Sequence, residues 1–196
     1  MNFKSRLGVA ALCLLSTLSA SASVVGFSGS FAPATWMTSI VGAVGGGGAD
    51  NGSIDSAGAP GAIVLKGGDD PAGGGCQSGF LNCELQFSHA MLGDPSISFH
   101  WRYTSNDELG AQGDFFGVLL DGVHLQLSDA GGPVPQQGSV VFSPSSSFGF
   151  YINCGDCLGG NAVVSLSDFE APEPSSLALV GLGMLGAGAL RRTRRS

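Results

Sequence analysis

Positive charge is scarce in this chain. It has 8 Lys+Arg against 15 Asp+Glu in 196 residues, a formal net charge of −7. Most of its cations stand at the ends: Lys4 and Arg6 near the start, and Arg191, Arg192, Arg194 and Arg195 at the close. Only Lys66 and Arg102 lie between, whereas all 15 acids fall between Asp50 and Glu173, so the central segment carries a net −13. Such a surface repels polyanions, which excludes nucleic acid and anionic membrane surfaces as its partners and favours solubility, cations or neutral glycans. Sustained helical periodicity and internal repeats are also missing. So are the G-x-S-x-G, H-E-x-x-H and P-loop patterns of common catalytic sites. The 3 histidines, His89, His100 and His124, are scattered, and His100 and His124 fall on the polar face of their strands, a solvated rather than catalytic setting. The sequence therefore predicts no enzyme.

The last residues do hold one pattern that resembles a site. "GLGMLG" gives Gly181, Gly183 and Gly186 the G-x-G-x-x-G spacing of a dinucleotide turn. That turn needs a strand before it, a helix after it and an acidic residue about 20 positions on, and no acidic residue follows Gly186. Leu177 to Leu190 is instead a charge-free run of 14 residues followed by four arginines. Such an order reads as a short membrane helix with its cations held on the cytoplasmic side. Pro172-Glu173-Pro174, the apolar span and Arg191, Arg192, Arg194 and Arg195 together resemble the PEP-CTERM sorting signal of Gram-negative bacteria. The resemblance implies recognition by exosortase, a membrane protease-transpeptidase, and removal of the tail near Pro172-Glu173-Pro174.

The other end agrees with export. Lys4 and Arg6 precede the mostly apolar Leu7 to Leu18, and Ala20-Ser21-Ala22 offers an A-x-A cut before Ser23, the form of a secretory signal peptide processed by signal peptidase. Three parts result: a signal peptide over 1–22, a domain over 23–170 and a sorting signal over 171–196.

The central part reads as strands. From Ser96 to Thr104, Ile97, Phe99, Trp101 and Tyr103 alternate with Ser98, His100 and Arg102, the period of a half-buried strand. Phe115 to Leu120 and Val123 to Leu127 flank Asp121-Gly122, a pair suited to a type I′ hairpin turn. Further strands are predicted over 62–65, 84–87, 139–142, 148–153 and 162–169, with glycine-rich loops over 43–52 and 67–75. Many short strands with Gly, Pro, Asp and Ser between them imply an all-β protein, an antiparallel sandwich or jelly roll.

Four cysteines remain after export, Cys76, Cys83, Cys154 and Cys157. In an oxidising compartment an even number reads as two disulfides. Of the three pairings, Cys76 with Cys83 and Cys154 with Cys157 needs the least chain folding. A four-thiolate zinc site and a redox Cys154-Gly155-Asp156-Cys157 pair are the competing readings.

"GSFAPATWMTS", "GSIDSAGAPGAIVLKGGD", "SISFHWRYTSNDELGAQGDFFGVLLDGVHLQLSD", "FGFYINC" and "NAVVSLSDFEAPEP" together resemble an exported bacterial β-sandwich module of the CUB or carbohydrate-binding jelly-roll kind. The resemblance bears on fold and implies no activity. Within this stretch Asp107, Glu108 and Asp114 sit between two strands, where their carboxylates could offer calcium hard oxygen ligands. Trp101, Tyr103, Phe148, Phe150 and Tyr151 could build a sugar-stacking platform, although alternation puts Trp101 and Tyr103 in the core and leaves Tyr151 the best placed to face out. No cofactor other than calcium is implied. The sequence thus predicts an exported, exosortase-processed surface or matrix protein without enzymatic activity, held transiently in the inner membrane and associated with exopolysaccharide or biofilm. The alternative is a glycan- or calcium-binding module.

Overall fold

The computed structural model describes residues 23–42, 51–69, 83–91, 95–155, 157 and 159–172. The expected signal peptide with Ala20 and Ala22, the tail from Glu173 onward, Cys76 and most of the two glycine-rich loops lie outside them. The strands among the described residues are β1 Ser23–Val25, β2 Met37–Val41, β3 Ser53–Asp55, β4 Ala62–Lys66, β5 Glu84–Ala90, β6 Ile97–Ser105, β7 Asp114–Leu120, β8 Val123–Gln126, β9 Gln136–Phe142, β10 Ser147–Cys154 and β11 Ala162–Pro172.

These strands form two sheets. One is five-stranded, in the order β2-β5-β10-β7-β8; the other is six-stranded, β3-β4-β11-β6-β9, with β1 added on β11. Every pairing is antiparallel. From β4 onward the chain passes repeatedly from one sheet to the other, so the sandwich of the jelly-roll kind is closed by crossings rather than by a single interface. No described helix is long and apolar enough to cross a membrane.

Side-chain alternation explains the two layers. Along β6, Ile97, Phe99, Trp101 and Tyr103 are buried while Ser98, His100, Arg102 and Thr104 point away. Leu85 and Phe87 of β5, Phe116 and Val118 of β7, and Phe148, Phe150 and Ile152 of β10 face them from the other sheet. Each such side chain contributes roughly 1.5–3 kcal/mol when removed from water. Trp36, just before β2, closes one end. Its ring stacks on Phe87 at 4.7 Å and on Phe150 at 5.6 Å, and its Nε1 donates to the Phe31 carbonyl at 3.0 Å.

Two irregularities set the geometry of the ends. The β7–β8 hairpin turns on Asp121 (φ 54) and Gly122 (φ 82), the two positive φ angles that a type I′ turn requires. In β11 the register with β6 shifts between Ser167 and Glu170, and Asp168 takes φ 51 there. This bulge inserts one residue and inverts the parity of the strand. Phe169 and Ala171 consequently point into the core, where they are buried.

Candidate functional site

The outer face of the five-stranded sheet gathers polar side chains into rows. Register places Ser39, Gln86, Tyr151, Gly117 and Gln126 side by side across all its strands. Val41, Glu84, Asn153 and Phe115 form the next row, and Met37, Ser88, Gly149, Leu119 and His124 the row on the other side. Gly117 and Gly149 leave room in the middle: a Cβ at Gly117 would collide with the Leu125 carbonyl and the Tyr151 ring.

Glu84 is the hub of this face. Its carboxylate, though only 7% exposed, accepts from Gln86 Nε2 at 2.6 Å, stands 2.8 Å from His124 Nε2, and accepts from Asn153 Nδ2 at 3.2 Å. A buried carboxylate tolerates its site only with such partners. The His124 ring in turn stands edge-on over Tyr151 at 4.8 Å. Tyr151 thus lies on the outer face, as its alternation suggested, but is 5% exposed, because His124 covers it. The proposed stacking platform is corrected accordingly: Trp101, Tyr103, Phe148 and Phe150 are buried in the core, and Tyr151 offers no open ring face. Burial, followed by the neighbouring Glu84 charge, pushes the Tyr151 hydroxyl up to about 12.

The histidines are distributed as follows. His124 belongs to the Glu84 array, and His100 stands on the opposite sheet, 3.1 Å from Ser139 Oγ. His89 points between the sheets beside Phe31 and Trp36, with Nε2 2.9 Å from the Ser30 carbonyl oxygen.

The acidic loop is brought together only in part. Asp114, at the start of β7, is fully buried, and Asp107 is 8% exposed. Ser105 links them: its hydroxyl lies 3.3 Å from Asp114 Oδ2 and accepts from the Asp107 amide at 3.1 Å. Gly113 fits here because a Cβ would strike the Asp107 carboxylate. The Tyr103 hydroxyl, which donates to the Asp114 carbonyl at 2.9 Å, is pushed up to about 12 by burial first, then by the charge of Asp114, with Asp107 adding to it. Glu108 stays outside this corner, exposed to solvent.

Behind β10 the sulfurs of Cys83, Cys154 and Cys157 lie within 4.8 Å of one another, all buried. Cys154 is joined to Cys157, and Cys83 is disulfide-bonded as well. With Cys154 and Cys157 joined, their sulfurs are not the thiolates that zinc binds. A pairing of Cys83 with Cys76 reaches beyond the described residues.

At the chain's far end, β11 runs as far as Pro172 before the arginine-terminated tail begins. The family model for the PEP-CTERM protein-sorting motif matches residues 170–195. The chain carries a PEP-CTERM sorting motif. That motif indicates export, sorting to the cell surface or extracellular space, and processing by exosortase. No curated relative matches the chain. Among solved structures it is similar to a mutant of a family 29 carbohydrate-binding module, at 10% identity and TM-score 0.39, over 78% of this chain and 92% of that chain. It is also similar to a cleaved adhesin domain of Lys-gingipain from Porphyromonas gingivalis W83, at 12% identity and TM-score 0.39, over 77% of this chain and 99% of that chain. At such values neither structure lends a ligand or a functional residue to this chain.

Proposed function

We propose that the exported domain is a non-enzymatic surface or matrix module that binds neutral extracellular polysaccharide on the outer face of its five-stranded sheet. The observation that carries this reading is the array around Glu84. Gln86, Asn153 and His124 are held by the same carboxylate, so their positions are fixed before a ligand arrives and little side-chain entropy remains to be lost. Sugar hydroxyls, each both donor and acceptor, suit a surface of amides, imidazole and carboxylate. The net −12 of residues 23–170 favours uncharged sugars over acidic ones. Met37 and Val41, exposed at the β2 edge of the same face, supply apolar contact for sugar C–H groups.

Affinity electrophoresis of the processed protein through gels containing neutral glucan or mannan tests this. Retardation is the expected result, and Gln86→Ala with Gln126→Ala weakens it about tenfold, two hydrogen bonds at about 0.5–1.5 kcal/mol each. Unretarded migration through every neutral glycan overturns the reading.

A second reading is favoured by one observation. Asp107 and Asp114 are buried and meet at Ser105, whose hydroxyl donates to Asp114 Oδ2 and accepts from the Asp107 amide. A hard divalent cation such as calcium would take their carboxylate oxygens as ligands. In this reading calcium clamps the loop between β6 and β7 and supports the fold beside the glycan face.

A further inference from the structure

The sorting motif begins inside the folded sandwich. Its match starts at residue 170, and the last residues of β11 are bound strand: Glu170, Ala171 and Pro172 pair with Val25, Val24 and Ser23 of β1. Glu170 also pairs with Ser98 of β6, so at that position both edges of β11 are taken. Ala171 is 1% exposed and Val24 5%, and both belong to the core. Only four residues, Glu173 to Ser176, separate this strand from Leu177, where the charge-free run begins. Fully extended, they reach at most about 14 Å.

A protease binds its substrate as an extended strand and completes it with backbone hydrogen bonds, as in other strand additions. At Glu170, where β6 holds the other edge, the edge available for that purpose is the one β1 occupies. The chain is firmly held just past β1. The Gly26 amide donates to the Phe169 carbonyl at 2.6 Å, the Phe27 amide to the Pro60 carbonyl at 2.8 Å, and the Phe27 ring stacks on Phe169 at 4.7 Å. Between this anchor and β1 stands Gly26 at φ 76, a conformation open to glycine and a natural pivot. β1 is three residues long, so lifting it withdraws one core side chain, Val24, and uncovers Ala171 while the other strand pairings stay in place.

We propose that β1 controls tail removal: exosortase receives the motif while Ser23–Val25 is undocked from Glu170–Pro172, and docking of β1 withdraws it. The proposal rests on the reading of residues 170–195 as an exosortase-processed motif. It also assigns a second meaning to the signal-peptide cut proposed after Ala22. That cut leaves Ser23 at the front, so the two processing points become neighbours across a single strand pair.

The test locks the strap in place. Val25 and Glu170 are paired residues whose side chains are both exposed. Val25→Cys combined with Glu170→Cys, made in the full-length chain in its exosortase-bearing host, allows a cross-strand disulfide to form. The readout is pulse–chase with intact mass, which reports the crosslink as two lost hydrogens and the tail by the presence of Leu177 to Ser196. The single-cysteine variants serve as controls, and an unchanged or raised melting temperature shows that the locked domain is folded. The expected result is tail removal slowed about tenfold or more in the locked form, since the rate scales with the undocked fraction. Val24→Gly, which loosens β1 without a crosslink, is expected to be processed faster than wild type. Processing of the locked form at the wild-type rate, or a Val24→Gly rate no faster than wild type, overturns the control by β1. A wild-type chain that keeps its tail in the same host overturns the sorting-motif reading itself, and the proposal with it.

Discussion

Tyr103 and Tyr151 are the only 2 tyrosines in the chain, and both are held as neutral phenols. Burial is the first cause for each, reinforced by the Asp114 charge for Tyr103 and the Glu84 charge for Tyr151. Because both are raised to about 12 in the folded state, they contribute stability that is fully present below the ordinary tyrosine value of about 10. That contribution is lost as the pH rises from there toward about 12. The ultraviolet phenolate band of the native protein should therefore stay small at pH 10 and rise together with alkaline unfolding. Half the band appearing at pH 10, in a protein still folded by circular dichroism, would contradict this placement. Tyr103 was legible as a core residue from the alternation of its strand. Tyr151 was legible only in direction: its cover, His124, comes from a strand that alternation places nearby but cannot align over the ring.

The β7–β8 hairpin shows how one carboxylate organises an element. Asp121 enters a positive φ to make the turn and then reaches the segment before β10. There it accepts from the amides of Ser145, Ser146 and Ser147 and from the hydroxyls of Ser145 and Ser146, at 2.6–3.1 Å. The Ser147 amide, followed by those of Ser146 and Ser145, holds its carboxyl well below the usual carboxylate range. A depressed folded-state value gives a contribution that is full above the ordinary carboxylate range and is lost as the pH falls through and below it. Asp121→Ala should lower the urea midpoint at pH 7 and at pH 5 alike, with the gap to wild type closing below about pH 4. An equal gap at pH 2 would remove charge-assisted bonding as its cause. The Asp121-Gly122 pair announced this turn, and the apolar alternation of β6 announced its strand. The three strands at the start were not legible. β1 and β3 are too short to show a period, and β2 is an edge strand whose residues are all partly or fully exposed. The bulge at Asp168 was equally hidden, since nothing local forces a register shift that only the burial of Phe169 and Ala171 explains.

At the scale of the molecule, charge and burial oppose each other at the Asp107–Asp114 corner. Added calcium should raise the melting temperature of the wild-type protein, and Asp114→Asn should abolish the rise, because a ligand that binds only the folded state stabilises it. An identical melting temperature with calcium and with chelator would sink the calcium reading while leaving the glycan reading intact. The acidic loop could be suspected from spacing alone, although Glu108 turns out to face solvent. The Glu84 array could not. Its members are 40 and 69 residues apart in sequence, and although register sets Asn153 beside Glu84, it places His124 in another row of the sheet, so only the folded side chains bring it to Glu84. What the sequence revealed most directly was the address, because the sorting tail is a local pattern that requires no folding to be read.

Ser23 and Pro172 end on adjacent strands, about 5 Å apart by strand spacing. A host protein's tight hairpin could accept the whole sandwich between two of its residues without being spread. Residues 23–172 are therefore suited to transplantation as a cassette, carrying their outer sheet face into an unrelated scaffold.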